Sequence, residues 1–424
     1  MNSPVLAAVL AALLAAGHAS AQASGPAPTE TLADAVRAAV ASNPALAAAR
    51  DRQDALAETP EQARAAGRLT AEADATGGYD RFDYGKGGVA TVSAALPIWT
   101  GGRVSTAVRA ANGDVEAGAQ TLRDTAADVI EQVVGAYAAV QFQQQAVAIA
   151  RADIALLDSQ VAEAKARFDL GAGTQTDVVR LVAEREGAVA TLAAAEAALV
   201  AAGASFRAVV GRDPGALAPP PADLAELPAS LDEARRRSVA ANPAYLASLA
   251  ARGAAAARIG VARANGAPSV TLAGGYGYGL AFGRDPSGYP ASAAAGVTLR
   301  VPIFTGGLVA SQVRQAQAGS RAAAHDADGA AREAIRAADT AWANVVAAHV
   351  RVAAGERAVV AADRALAGVK AEYVVALRTT LDILIADESL RGAQLALASS
   401  RSDLLTGEAA LLRAVGSLDR TAIT

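Results

Sequence analysis

The chain has 424 residues, a formal charge of −4, and a composition that is 53 % hydrophobic but only 4 % aromatic. Alanine therefore supplies much of the apolar content and favours closely packed helix. The acidic balance offers no basic patch for nucleic acid, and the lack of any cysteine excludes disulfides, thiolate metal sites and a lipid-anchored N-terminal cysteine.

Residues 1–23 are predicted to be a secretory signal peptide. The run from Val5 to Ala16 is apolar, and Ala19-Ser20-Ala21 and Ala21-Gln22-Ala23 are both A-x-A cleavage sites. No Lys or Arg precedes the apolar run, which departs from the usual pattern. The run is too short for a membrane span, which needs ~20 apolar residues. The mature chain is expected to start after Ala21 or Ala23, outside the cytoplasm.

Beyond the signal, one unit is written twice, over 24–213 and 231–424, joined by a Pro-rich linker at 214–230. The first copy opens with a helix from Leu32 to about Ala66, interrupted at Asn43-Pro44, where Asn can cap and Pro can take the first helical position. A β-hairpin follows over 69–99. Val89, Thr91, Ser93 and Ala95 face one way, and Val92, Ala94 and Leu96 the other. Leu96-Pro97-Ile98-Trp99-Thr100-Gly101-Gly102 then ends the strand and starts long helices over 103–210. The first of these has no proline as far as Leu170, a rod of roughly 100 Å. Val129, Val133, Ala136, Val140, Val147, Ile154, Leu157 and Val161 give it heptad-like apolar spacing. After a break at 170–175 a helix returns from Asp177 to Val210.

The second copy repeats this order. Its first helix runs from Leu231 to about Ala264 and breaks at Asn242-Pro243, and its hairpin spans 268–304. Val270, Leu272, Gly274, Tyr276 and Tyr278 share one face of the outgoing strand; Val297, Leu299, Val301 and Ile303 share one face of the return. Val301-Pro302-Ile303-Phe304-Thr305-Gly306-Gly307 repeats the first junction 205 residues on, and long helices follow over 308–415. The Asn-Pro pairs are instead 199 residues apart, so the second copy carries a six-residue insertion, placed in the turn-rich stretch from Phe282 to Pro290. Pro97, Gly101, Gly102, Pro302, Gly306 and Gly307 thus mark strand-to-helix joints.

Four strands cannot close a barrel, but three chains would supply twelve, within the range of outer-membrane barrels. Rods of this length far exceed a bilayer's ~30 Å apolar core. Their scattered charges, among them Glu116, Arg123, Asp128, Glu131, Arg151 and Asp153, also place them in water.

The duplicated Pro-φ-φ-x-Gly-Gly at 97–102 and 302–307, with the pattern Phe168 to Asp177-Val178-Val179 and Tyr373 to Asp382-Ile383-Leu384, resembles the TolC family of outer-membrane efflux proteins. The resemblance covers essentially the whole mature chain. It implies a mainly α fold with β: a homotrimer whose outer-membrane β-barrel takes four strands per protomer and continues as a long α-helical coiled-coil barrel. It further implies a passive exit duct for efflux or type I secretion, spanning outer membrane and periplasm. Its partners would be a periplasmic adaptor (membrane fusion) protein, an inner-membrane transporter and outer-membrane lipid. By motif match Thr176, Asp177 and Arg378 resemble the family's gating contacts at the periplasmic mouth, and Asp382 resembles an aperture acid. Ile385 stands where the best-known members carry a second Asp. Asp177 and Asp382 are also placed to cap the returning helices.

No enzyme, cofactor or metal site is expected. His325 and His349 each lie on a helical rod, and acids and bases are spread without a catalytic cluster. Gly275-Tyr276-Gly277-Tyr278-Gly279 lacks the Lys of a phosphate loop and continues as strand. Tyr79, Tyr84, Tyr276, Tyr278 and Tyr289 are candidates for an interfacial aromatic girdle. The competing reading is a soluble periplasmic coiled-coil adaptor or scaffold. Adaptors have one helical hairpin with flanking β-domains, whereas strands here sit between helices in both halves. A passive duct takes its specificity from its pump, so cargo leaves no signature in this chain.

Overall fold

The computed structural model describes residues 29–80, 85–221, 224, 227–282, 291–375 and 377–423. The expected signal peptide, Tyr84, Tyr289 and the insertion at 283–290 lie outside the described residues.

In chain order the elements are α1 (Leu32–Ser42), α2 (Pro44–Ala57), α3 (Thr59–Ala65), β1 (Thr70–Asp80), β2 (Gly85–Trp99), α4 (Arg103–Asp169) and α5 (Gln175–Val210). The second half continues with α6 (Leu231–Ala241), α7 (Pro243–Ala264), β3 (Ser269–Phe282), β4 (Ser292–Arg300), α8 (Leu308–Val374) and α9 (Thr380–Ala414), then a short 3-10 turn, Arg420–Ile423. Both halves therefore run helix, hairpin, long helix, returning helix. The Asn-Pro breaks fall where expected. In the first half the chain breaks once more, between α2 and α3, because Pro60 lacks the N–H that a continuous helix would use.

The four strands form one antiparallel sheet in the order β1-β2-β3-β4. Its register sorts the side chains into two faces. Ala73, Val92 and Tyr276 are cross-strand neighbours, as are Leu96 and Leu272, Leu272 and Val297, and Val270 and Leu299. The opposite face carries Glu72 beside Ser93, Asp74 beside Thr91, and Thr271 beside Thr298. One face is thus apolar and the other polar, the alternation of a sheet between lipid and water. Val92, Tyr276, Val297 and Leu299 are all more than half exposed, so nothing among the described residues covers the apolar face there.

Strand β2 runs through Pro97 to Trp99, with a bulge between them that accommodates the proline against β3. Its counterpart β4 stops at Arg300, so Val301 and Ile303 are not in the strand as the alternation suggests. Strand β4 is an edge with no further strand beside it among the described residues, and Pro302 cannot donate to a ladder.

The joints turn on left-handed glycines. Gly101 and Gly102 have φ +61° and +84°, and Gly306 and Gly307 have +58° and +84°. Side chains other than glycine are strained there. Gly101 is also crowded: an added Cβ would overlap Ala267 and lie 2.8 Å from the Pro268 carbonyl, whereas one on Gly306 would meet nothing within 4 Å.

The main core lies where α1, α4, α5 and α9 meet, around Leu32, Val36, Val133, Val134, Tyr137, Phe206 and Leu412. Seven of the eight heptad positions read from α4 are buried, Ile154 being the partly exposed one. Tyr137 is wholly buried, its hydroxyl 2.5 Å from the Ala218 carbonyl and 3.1 Å from that of Glu30. Burial and the nearby Glu30 and Asp34 push its phenol up to about 12. These bonds hold the linker across the helices. Glu30 and Leu217 form a parallel bridge beside them, and the Leu224 amide donates to buried Glu408 at 3.1 Å.

Candidate functional site at the helical tips

Two tips close the ends of the long rods. In the first, α4 ends at Asp169 and the Ala172 amide donates back to the Arg167 carbonyl at 2.8 Å, with Gly171 at φ +73° making the turn. Thr174 then caps α5. Its hydroxyl accepts from the Asp177 amide at 3.2 Å and donates to the Asp177 carboxylate at 2.7 Å. In the second tip Thr379 caps α9 in a reciprocal capping box. The Thr379 amide and hydroxyl both donate to Asp382 at 2.8 Å, and the Asp382 amide donates back to the hydroxyl at 3.4 Å.

Asp177 and Asp382 therefore stand at the third position of their helices as partners of the capping threonines rather than as the caps themselves. The Asp382 carboxylate also accepts from the cap amide. Thr379's amide and hydroxyl, then the charge of Arg378, hold the Asp382 carboxyl below its ordinary value. Thr176 is exposed in the first turn of α5, one residue before Asp177. Ile385 lies three residues beyond Asp382 and is 57 % exposed, so an apolar side chain follows the acid toward solvent.

Arg378 donates from Nε to Glu372 at 2.7 Å within the second tip, and this bond favours its charged form. Sequence reasoning missed Glu372, which lies before the bend and outside the motif. It also missed the contact that joins the tips: the Arg167 guanidinium stands 4.7 Å from the centroid of the Tyr373 ring. The rim is apolar, with Leu170 84 %, Val374 80 % and Leu377 75 % exposed.

Asp153, which the sequence presents as one more solvated charge on the rod, is instead 4 % exposed. It faces Asp387, 7 % exposed, and both accept from Arg391, at 2.8 Å from Nη1 and 2.9 Å from Nε. The single guanidinium offsets one charge of the two buried acids. Heptad spacing gives no warning, because Asp153 occupies a position between apolar ones. Near the other end of α9, Arg413 reaches Asp128 and Glu131 on α4, each at 2.7 Å.

Among the described residues no group of three or more His, Asp or Glu could hold a metal ion. His349 stands 3.8 Å from the buried Glu408. Among the described residues one helix, α5, is long and apolar enough to cross a membrane, and only 6 % of its most apolar stretch is buried.

A family model described as "Outer membrane efflux protein" matches residues 35–212 and 234–417. The chain is 30 % identical over 265 residues to the outer membrane efflux protein BepC of Brucella suis, covering 62 % of this chain and 58 % of that one. It is 28 % identical over 215 residues to outer membrane protein TolC of Vibrio cholerae, covering 49 % of each. These alignments span about half the length of each relative. In fold it is similar to the outer membrane protein VceC of Vibrio cholerae, with a TM-score of 0.76 and 24 % identity over 91 % of this chain and 96 % of that one.

Proposed function

The chain belongs to the outer membrane efflux protein family, and on that premise we propose that it is a passive exit duct spanning the outer membrane and the periplasm. The observation that carries this reading is the sheet with one apolar and one polar face, joined through Gly101-Gly102 and Gly306-Gly307 to helices of 67 residues. At 1.5 Å per residue each helix reaches roughly 100 Å into water.

The duct is a homotrimer, two repeats per chain at 24–213 and 231–424. Three kinds of uncovered surface support this. Strands β1 and β4 leave open edges. Gly306 faces open space where its counterpart Gly101 is packed against Ala267 and Pro268. Helix α5 packs along α4 and touches α1, and its remaining apolar length is bare. A neighbouring protomer on each flank covers all three, and a twelve-stranded barrel removes the edges.

Thr176, Asp177, Arg378 and Asp382 belong to the periplasmic mouth, and the apolar rim around Leu170 and Leu377 faces a periplasmic adaptor, itself coupled to an inner-membrane transporter. Residues 1–23 are removed on export. Family membership leaves the soluble-adaptor reading without support.

The test is fractionation followed by electrophysiology. The duct predicts heat-sensitive trimers in the outer-membrane fraction that form discrete conducting channels in planar bilayers. A monomer released by osmotic shock would overturn it.

A further inference from the structure

We propose that Asp153, Asp387 and Arg391 form a proton-holding latch that docks the second helical hairpin onto the first, roughly 20 Å above the mouth, and so sets how readily the mouth opens. This rests on the duct reading above. Among the described residues, two ion-pair centres join α4 to α9: Arg413 far from the tips, and Arg391 near them. The second stands where the returning hairpin would have to part from the first for the mouth to widen.

The charge balance makes this link sensitive to a proton. Two buried carboxyl groups face one guanidinium, so the fully ionised trio buries one uncompensated negative charge. Asp153 Oδ1 is buried with no hydrogen-bond partner. A proton held between Asp153 and Asp387 removes both penalties.

Among the described residues the surroundings supply no second buried cation. On α5, Glu184 adds negative charge. On α4 and α5, Arg151 is paired with Glu196 and Arg185 with Asp158 and Glu186. On α8, whose pairing with α9 is marked by Arg401 on Glu356, the groups at this height are Asp363, Arg364 and Lys370, all exposed. Glu388 on α9 is exposed too.

Burial, foremost, and Asp387 push the Asp153 carboxyl up, against the pull of Arg391. A group held above its ordinary value of 3.8 favours the docked state at low pH, and that contribution is lost as pH rises through the folded value. The latch is tight in acid and loosens as pH rises through that folded value.

The test compares wild type with Asp153→Asn, which keeps the shape and mimics the protonated acid, and Arg391→Met, which keeps the stem and removes the charge. Amide hydrogen exchange at 154–169 and 380–391 is read on detergent-solubilised full chain, each variant against wild type at the same pH. Conductance is read in planar bilayers. We expect wild-type tip exchange, corrected for intrinsic rates, and conductance to rise roughly threefold as pH is raised from acid through the folded value of Asp153. Asp153→Asn should stay at the acid level throughout, and Arg391→Met should open the tips at every pH. Asp153→Asn exchange that follows wild type across the range would overturn the latch whether or not channels form. Asp153→Asn tips that are looser than wild type in acid would overturn the shared proton. Well-folded trimers that show the expected exchange but no conductance would instead count against the duct.

Discussion

Asn242 donates from Nδ2 to the carbonyl of Ala414 at 3.0 Å, while its Oδ1 accepts from the Tyr245 amide at 3.0 Å. Asn43 does the same in the first half, to Val209 at 3.2 Å and from Ala45 at 2.9 Å. Each Asn thus starts one helix and closes the end of another far away in sequence. Asn242→Ala loses both bonds and should cost about 1–3 kcal/mol. Asn242→Asp keeps the acceptor, loses the donor, and should fall between. Thermal unfolding of the solubilised protein, followed by circular dichroism, orders the three; equal midpoints for Asn242→Asp and wild type would remove the clamp from the account.

Gly416 follows this clamp at φ +75°, and a Cβ there would overlap the Ala241 carbonyl and crowd the Asn242 amide. Its counterpart Gly211, at φ +88°, would meet only the Ser42 hydroxyl at 3.1 Å. Both substitutions to Ala incur left-handed strain of ~1–3 kcal/mol, but only Gly416→Ala must also displace backbone. Gly416→Ala should therefore lower the melting temperature well beyond Gly211→Ala. Comparable losses would mean that φ alone decides.

The sequence displays the helix order, both Asn-Pro breaks and the rods, because each depends on local signals: a cap, a proline, a heptad. The apolar sheet face was half visible. Tyr276 and Leu272 announce it in β3, but in β1 it consists of Ala71, Ala73 and Ala75, whose small side chains carry little contrast. The Asp153–Arg391 contact was hidden for another reason. Its partners are 238 residues apart, and a charged residue reads as solvated until its neighbour is known. At the tips, the motif placed Asp177 and Asp382 at the helix starts but not the capping residues Thr174 and Thr379, nor Glu372, the partner Arg378 finds within the chain.

Thr379→Ala and Asp382→Asn separate capping from any role of Asp382 at the mouth. Thr379→Ala removes a cap of about 1 kcal/mol and keeps the carboxylate. It should loosen the start of α9, seen as faster amide exchange at 380–384, without changing ion selectivity. Asp382→Asn removes the charge, and should lower the preference for cations in planar bilayers. Because Thr379 holds the Asp382 carboxyl below 3.8, its contribution is complete above that value and disappears as pH falls through the lower folded value. Exchange at the α9 start should thus rise in strong acid in wild type but not in Thr379→Ala.

Arg378→Ala removes the Glu372 pairing at the second tip. If that pairing keeps the tip in its closed shape, conductance rises; unchanged conductance would count against Arg378 as a gate residue. Glu372→Gln is the companion, since it leaves the guanidinium in place without its partner and should shift conductance the same way.

Val297 and Thr298 are adjacent on β4 and point to opposite faces of the sheet, beside Leu272 and Thr271 respectively. Arginine at a mid-bilayer lipid-facing position costs about 2–4 kcal/mol per chain, and a trimer bears that cost three times over. At a lumen-facing position the same side chain meets water. Val297→Arg should therefore deplete heat-sensitive trimers from the outer membrane, while Thr298→Arg should assemble normally and shift selectivity toward anions. The two differ by one residue in sequence, so chain position, expression and added charge are matched. If both assemble equally, the apolar face does not meet lipid.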